Sequence, residues 1–128
     1  MSTRSRVGIE TNGMVTSVYV HWDGQPEHHG PILKGHYPSA EAATALIALG
    51  DLSILAPELG EQHDFNSPDH PCWCLAYSRD RRDLDTGACT HPADRWPDSG
   101  QAYDYVHRDG RWQVRATKHG GAQEWRPL

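Results

Sequence analysis

The sequence predicts an α+β fold, a mainly antiparallel sheet of about five strands with one or two helices packed on one face. Three observations carry this expectation. Asn12-Gly13 separates two runs rich in β-branched residues, and Asn-Gly is a strong hairpin signal because both central residues of a type I′ turn need positive φ. Asp109-Gly110 separates a second pair of alternating runs near the other end. Between them, Ala40 to Leu49 has the composition of a helix, with Ser39 as N-cap, Glu41 in the first turn and Gly50 as a stop.

Taking the elements in order, a two-residue turn at Asn12-Gly13 fixes the register of the first hairpin. Thr11 faces Met14, Ile9 faces Thr16, Val7 faces Val18, Ser5 faces Val20 and Thr3 faces Trp22, giving one largely apolar face. The alternate pairs are Arg4 with His21, Arg6 with Tyr19, Gly8 with Ser17 and Glu10 with Val15, so the other face is polar. Residues 23–30 hold two glycines and a proline and read as a loop, and Pro31 to Tyr37 reads as a short helix ending before Pro38. In the helix that follows, Ala43, Leu46 and Ile47 form the buried stripe.

Asp51 to Leu55 is a turn plus a short apolar segment, and 57–71 is a long polar loop. Cys72 to Arg79 reads as a buried strand with Trp73, Leu75, Tyr77 and Arg79 on one face. Residues 80–100 show no period and read as loop, with a helical turn near Ala93 to Trp96. In the closing hairpin, Tyr103, Tyr105, His107, Trp112, Val114 and Ala116 share one face, while Asp104 opposes Arg115 on the other as a solvent-facing ion pair. The expected organisation is one domain over 1–117 and a C-terminal tail over 118–128 that stays loose unless Trp125 docks.

Bulk properties narrow the function classes. A net charge of −5 with mixed signs offers no basic face for duplex nucleic acid. No apolar run approaches the ~20 residues of a membrane span, and the start Met1-Ser2-Thr3-Arg4-Ser5-Arg6 lacks the apolar stretch of a signal peptide, which predicts a cytoplasmic protein without membrane partners. Three cysteines do not suggest a disulfide framework. No nucleotide-cofactor loop, Walker pattern or serine-nucleophile elbow occurs, so no cofactor is expected.

Three constellations could carry chemistry. Arg4, Arg6, Tyr19 and His21 share the polar hairpin face, with Asp23 beyond it and Arg79 delivered by the central strand. Paired guanidinium groups suit phosphate or carboxylate oxygens, and an aromatic ring can stack on a base; the plain alternative is a solvated face of ordinary ion pairs. His70, Cys72, Cys74, Cys89 and His91 offer zinc-type ligands, although the spacing departs from a zinc knuckle and burial of Cys72 and Cys74 as small hydrophobes is the favoured reading. His21, Asp23, Glu27, His28, His29 and His36 could hold a divalent metal for phosphodiester cleavage, without matching a spaced hydrolase motif.

Several blocks together resemble a family of small bacteriophage and mobile-element proteins. They are the Met1 to Ile9 start with its Met1-Ser2-Thr3-Arg4-Ser5 opening, Val18 to Gly24 with its His21-Trp22-Asp23-Gly24 block, His36-Tyr37, Leu46 to Ser53, Ala76-Tyr77-Ser78-Arg79-Asp80-Arg81, and Tyr103 to Tyr105 with Gly110 to Val114. Gln25 stands where the family pattern has an aromatic before the proline, and the cysteine-rich run before Ala76 is outside that pattern. The resemblance carries no assigned activity. It implies a phage accessory, anti-defence protein acting in the cytoplasm of an infected bacterial host.

Within the matching blocks, Arg4, Arg6, Tyr19, His21, Trp22, Asp23, Tyr77, Arg79 and Arg81 form the expected ligand-binding set. The first expectation is a non-enzymatic binder that sequesters a small phosphorylated, nucleotide-derived signal. The alternatives are a metal-assisted phosphodiesterase centred on His21 and Asp23, and a protein inhibitor anchored by Trp96 and Trp125. Homo-oligomerisation stays open.

Overall fold

β-branched alternation on either side of Asn12-Gly13 produces the hairpin β1 (Ser5–Thr11) and β2 (Met14–Val20) in a computed structural model that describes residues 3–66, 70–93, 101–117 and 124–128. Asn12 and Gly13 both have positive φ, at 52° and 77°, and the register from Ser5–Val20 to Thr11–Met14 is the one the turn dictates. The second hairpin, β6 (Tyr103–Arg108) and β7 (Arg111–Ala116), turns in the same way at Asp109-Gly110. The two hairpins join through a parallel pairing of β1 with β6, Ser5 opposite Tyr103 and Ile9 opposite His107. Nothing local in either hairpin signals that seam.

The sheet is larger than expected. Eight strands are described, in the order β4-β3-β2-β1-β6-β7-β8 with β5 also on β2, and the pairings are mixed: β1–β6 and β2–β3 are parallel, the others antiparallel. The additional strands are short: β3 (Leu52–Ile54), β4 (Leu75–Ala76), β5 (Cys89–Pro92) and β8 (Arg126–Pro127). β5, within a stretch expected to be loop, lies along Met14–Ser17. The helical turn expected at Ala93 to Trp96 falls largely outside the described residues. Val20 is the last residue of β2 because His21 and Trp22 donate their amides to Leu52 and Ser53 instead, so the expected Thr3–Trp22 pair does not form.

The helices also shift. The first, α1, runs Pro26–His36, not from Pro31; Pro26 occupies the first turn, where its missing N–H costs nothing, and Pro31 lies inside the helix. The second, α2, is Ala40–Ile47, and Ser39 caps it by accepting from the Ala42 amide at 3.0 Å. The expected strand over Cys72 to Arg79 contracts to Leu75–Ala76, after which the chain coils into α3 (Tyr77–Arg81). Asp80 explains the change: its carboxylate reaches back to accept the Ala76 amide at 2.8 Å, which fixes a helical turn.

The apolar faces of both hairpins meet α1 and α2 in one core containing Val7, Val18, Leu33, Leu46, Leu52, Tyr105 and Val114. The opposite sheet face holds a smaller cluster, Val15 and Val106, with Trp125 packed on it. Residues 124–128, part of the expected tail, return as β8 against β7, and the guanidinium groups of Arg108 and Arg115 lie 5.0 and 4.5 Å from the Trp125 ring. The Asp104–Arg115 pair is thereby buried and not solvent-facing: Asp104 is fully buried and accepts Arg115 Nε at 3.0 Å.

One buried polar link ties α1 to the sheet. Ser5 Oγ lies 3.2 Å from His29 Nε2, and His29 Nδ1 lies 3.0 Å from His28 Nδ1. Burial, with His28 alongside, pushes the pKa of His29 down to about 3, so the ring is neutral at physiological pH. A folded-state pKa below the unfolded 6.5 contributes stability that is complete above pH 6.5 and is lost as pH falls toward 3. His29→Gln should therefore flatten the pH dependence of unfolding in that window, measured by urea denaturation at stepped pH.

Candidate functional site

The polar face of the first hairpin continues across the sheet. Tyr19 donates its backbone amide to Asp51 Oδ1 at 2.9 Å, and Asp51 in turn accepts the Tyr77 amide on its carbonyl at 3.2 Å. With Leu52 paired to both Val20 and Ala76, the register sets Arg6, Tyr19, Asp51 and Tyr77 side by side on the face away from the helices. Burial raises the pKa of Asp51, opposed by the Tyr19 amide and Arg6. Burial likewise raises that of Tyr19, opposed by Arg4.

The expected ligand residues divide into three groups. Tyr19, His21 and Trp22 form a continuous aromatic run: Tyr19 Oη is 2.7 Å from His21 Nδ1, and the His21 and Trp22 rings meet edge to face at 4.8 Å. Trp22 is 45% exposed, which leaves ring surface for a ligand. Arg4 is exposed beside this run: its carbonyl accepts the Ala102 amide at 3.0 Å, while its guanidinium has no hydrogen-bond partner among the described residues. Asp23, also exposed, takes a left-handed φ of 58° and turns the chain into Gly24. Gly24 has to be glycine for a packing reason: a Cβ there would lie 2.7 Å from the Thr3 carbonyl and 2.9 Å from Ser5 Cβ. The Gly24 carbonyl accepts the buried Tyr105 hydroxyl at 2.6 Å, which anchors the turn that presents Trp22.

Arg81 and Tyr77 form the second group, together with Phe65, a residue that sequence reasoning passed over. The Arg81 guanidinium sits 4.6 Å from the Phe65 ring centre and 4.9 Å from that of Tyr77, while pairing with Asp83. Phe65 is the chain's one phenylalanine and lies in a breaker-rich loop, so no periodicity marked it. Asp51 links the two groups, its side chain accepting the Tyr19 amide and its carbonyl the Tyr77 amide.

Arg6 and Arg79 make the third group, in which the guanidinium donors are taken up by the protein itself. Arg6 donates to Ser17 Oγ at 3.1 Å and to the Ser17 carbonyl at 3.0 Å. Arg79 donates to the carbonyls of Leu59 and Cys74, each at 2.7 Å, and to Asp80. Asp80 also accepts the His63 amide at 3.1 Å, so this pair clips the 57–71 loop to α3.

The metal alternatives fare differently. Cys74 is buried, with its sulfur 3.3 Å from the Ala56 amide and 3.6 Å from Tyr37 Oη, whereas Cys72 and Cys89 are exposed on β4's approach and on β5. His29, from the histidine-acid constellation, is enclosed in the core. Among the described residues, no group of three or more His, Cys, Asp or Glu is placed to hold a metal ion. No helix among them is long and apolar enough to cross a membrane.

Compared with protein-family models, curated proteins and solved structures, the chain finds no match.

The Asp80 carboxylate is titratable inside this frame. Its burial alone would raise the pKa, but Arg79 and the Ala76 and His63 amides outweigh that and hold it below the ordinary 3.8. Its contribution to stability is complete above about pH 3.8 and is lost as pH falls through the lower folded-state value. Asp80→Asn should cost about 3–5 kcal/mol at neutral pH, because Arg79 is left half-enclosed without its counter-charge. Chemical denaturation should show the gap to the parent protein narrowing below pH 3.8.

Proposed function

We propose that this protein binds and sequesters a small phosphorylated, nucleotide-derived ligand at the face formed by Arg4, Tyr19, His21 and Trp22, with Tyr77 and Arg81 beside it. The single observation that carries the reading is an exposed, uncommitted guanidinium at Arg4 next to an aromatic run ending in the half-open ring of Trp22. Arginine supplies phosphate recognition and the indole supplies a stacking surface for a base. Arg6 and Arg79 support the site indirectly: Arg6 braces Ser17 under the hairpin, and Arg79 holds the loop that delivers Phe65. Asp23 shapes the turn behind Trp22. An accessory, anti-defence role in a phage-infected bacterium rests on the sequence resemblance alone.

Sequestration, not cleavage, is the reading because the arrangement offers recognition groups, a free guanidinium and an exposed aromatic run. Calorimetry against cyclic mononucleotides, cyclic dinucleotides and ADP-ribose tests it, with chromatography of the recovered ligand. The ligand should return intact. Trp22→Ala and Arg4→Ala should each weaken binding about tenfold or more, since base stacking and a charge-assisted contact are each worth about 1–3 kcal/mol. Affinity unchanged in both variants would remove the site, and a converted ligand would replace sequestration with catalysis.

A further inference from the structure

The loop from Pro57 to Pro71 was expected to be a polar connection, yet it is closed at its neck by the residues that follow it. The Glu58 amide donates to the Cys72 carbonyl at 2.9 Å and the Cys74 amide to the Glu58 carbonyl at 2.8 Å. Trp73 lies directly on Gly60, where a Cβ would fall 2.4 Å from the indole and where φ is +71°. His70 stacks on the Trp73 ring, with centroids 3.8 Å apart and planes inclined by 17°. His63 stands nearly perpendicular to both, 5.9 Å from His70 and 5.4 Å from Trp73.

His63 is the unusual member. Its side chain is only 7% exposed, and its Nδ1 is 2.8 Å from the Glu61 carbonyl, which can only accept. The proton therefore resides on Nδ1, and Nε2 carries a bare lone pair. That nitrogen is buried and has no hydrogen-bond partner among the described residues. Asp80 Oδ1 stands 3.5 Å behind Nδ1 and is itself fixed by Arg79, so the ring's orientation is set from its rear edge. A carbonyl or carboxylate holding one imidazole nitrogen while the other is left as a free lone pair is the outer-shell arrangement of metal-ligating histidines. A buried polar atom without a partner calls for an ion or a water.

We propose that His63 and His70 form a binding site for one divalent transition-metal ion of the zinc and cobalt class, with water completing the coordination. Metal–nitrogen bonds of about 2.0–2.1 Å in tetrahedral geometry bring two imidazole centres to about 5 Å. The observed 5.9 Å closes to that value by a shift of about 1 Å in His70, the exposed ring of the pair. Local charge permits the ion, because the nearby Arg79 guanidinium is neutralised by Asp80 at 3.0 Å. The site uses His70 but not Cys74, whose sulfur is occupied in the core.

Co²⁺ titration of the full chain, followed by calorimetry and visible absorption, tests the assignment. One ion per chain should bind, and Zn²⁺ should displace it and raise the melting temperature. Removing an outer-shell partner typically weakens metal binding about 10–100-fold, and losing a ligand should cost no less, so His70→Gln and His63→Gln should each reduce affinity at least tenfold. His28→Gln, on a distant helix, should leave it unchanged. Should His63→Gln fail to fold, the exposed His70→Gln decides. Absence of saturable binding, or affinity unaltered by His70→Gln, would overturn the site.

Discussion

The parallel seam between β1 and β6 is the constraint on which the rest of the molecule depends. Each hairpin alone is a two-stranded ribbon, and such ribbons are marginal in water. Pairing Ser5–Ile9 with Tyr103–His107 fuses them, aligns Val7 with Tyr105, and creates a face wide enough for α1 and α2 to cover. The same alignment sets Arg6 opposite Asp104 on the other face, where Trp125 and Arg115 seal the carboxylate. Because almost a hundred residues separate the partners, the seam is paid for in loop-closure entropy and recovered through burial on both faces.

Polar groups organise what the hydrophobic pattern cannot. Asp51 and Asp80 each hold backbone amides that no strand reaches: Tyr19 in the first case, His63 and Ala76 in the second. Two carboxylates thus shape the surface on which Tyr19, Tyr77 and Phe65 are presented. This explains why arginines predicted as ligand contacts separate by environment. Arg4 lies at the strand's open end and stays exposed, whereas Arg79, one residue before a buried acid, is drawn inward.

Features governed by local rules were legible in the sequence. Asn12-Gly13 and Asp109-Gly110 specified turns, registers and faces, and Ser39 specified a helix start. Features set by partners distant in sequence were not. β5 has no alternation of its own and exists because the edge of Met14–Ser17 is available to it. Cys72 to Arg79 has strand-like composition, but the capture of the Ala76 amide by Asp80 overrides it. Pro31 suggested a helix start, while Pro26 occupies that position five residues earlier. In the candidate site, the hairpin face with Arg4, Tyr19 and His21 could be read directly; Phe65 and His63 could not, since a loop folded on itself leaves no period.

The outer side of β2 is covered piecemeal: β5 takes Met14–Ser17, β3 takes Val20, and a carboxylate occupies the amide of Tyr19 between them. The strands at the two ends of the main strand order are two residues each, β4 passing straight into a helix and β8 containing Pro127, and β5, the edge on β2, is four residues long and ends at Pro92. A foreign strand adding to this sheet therefore meets no long, flat row of free amides and carbonyls among the described residues. Such interrupted borders are how β-rich proteins avoid templating their own aggregation. A small chain that exposes Trp22 and Leu84 can keep those apolar surfaces available because its backbone offers so little for another strand to extend.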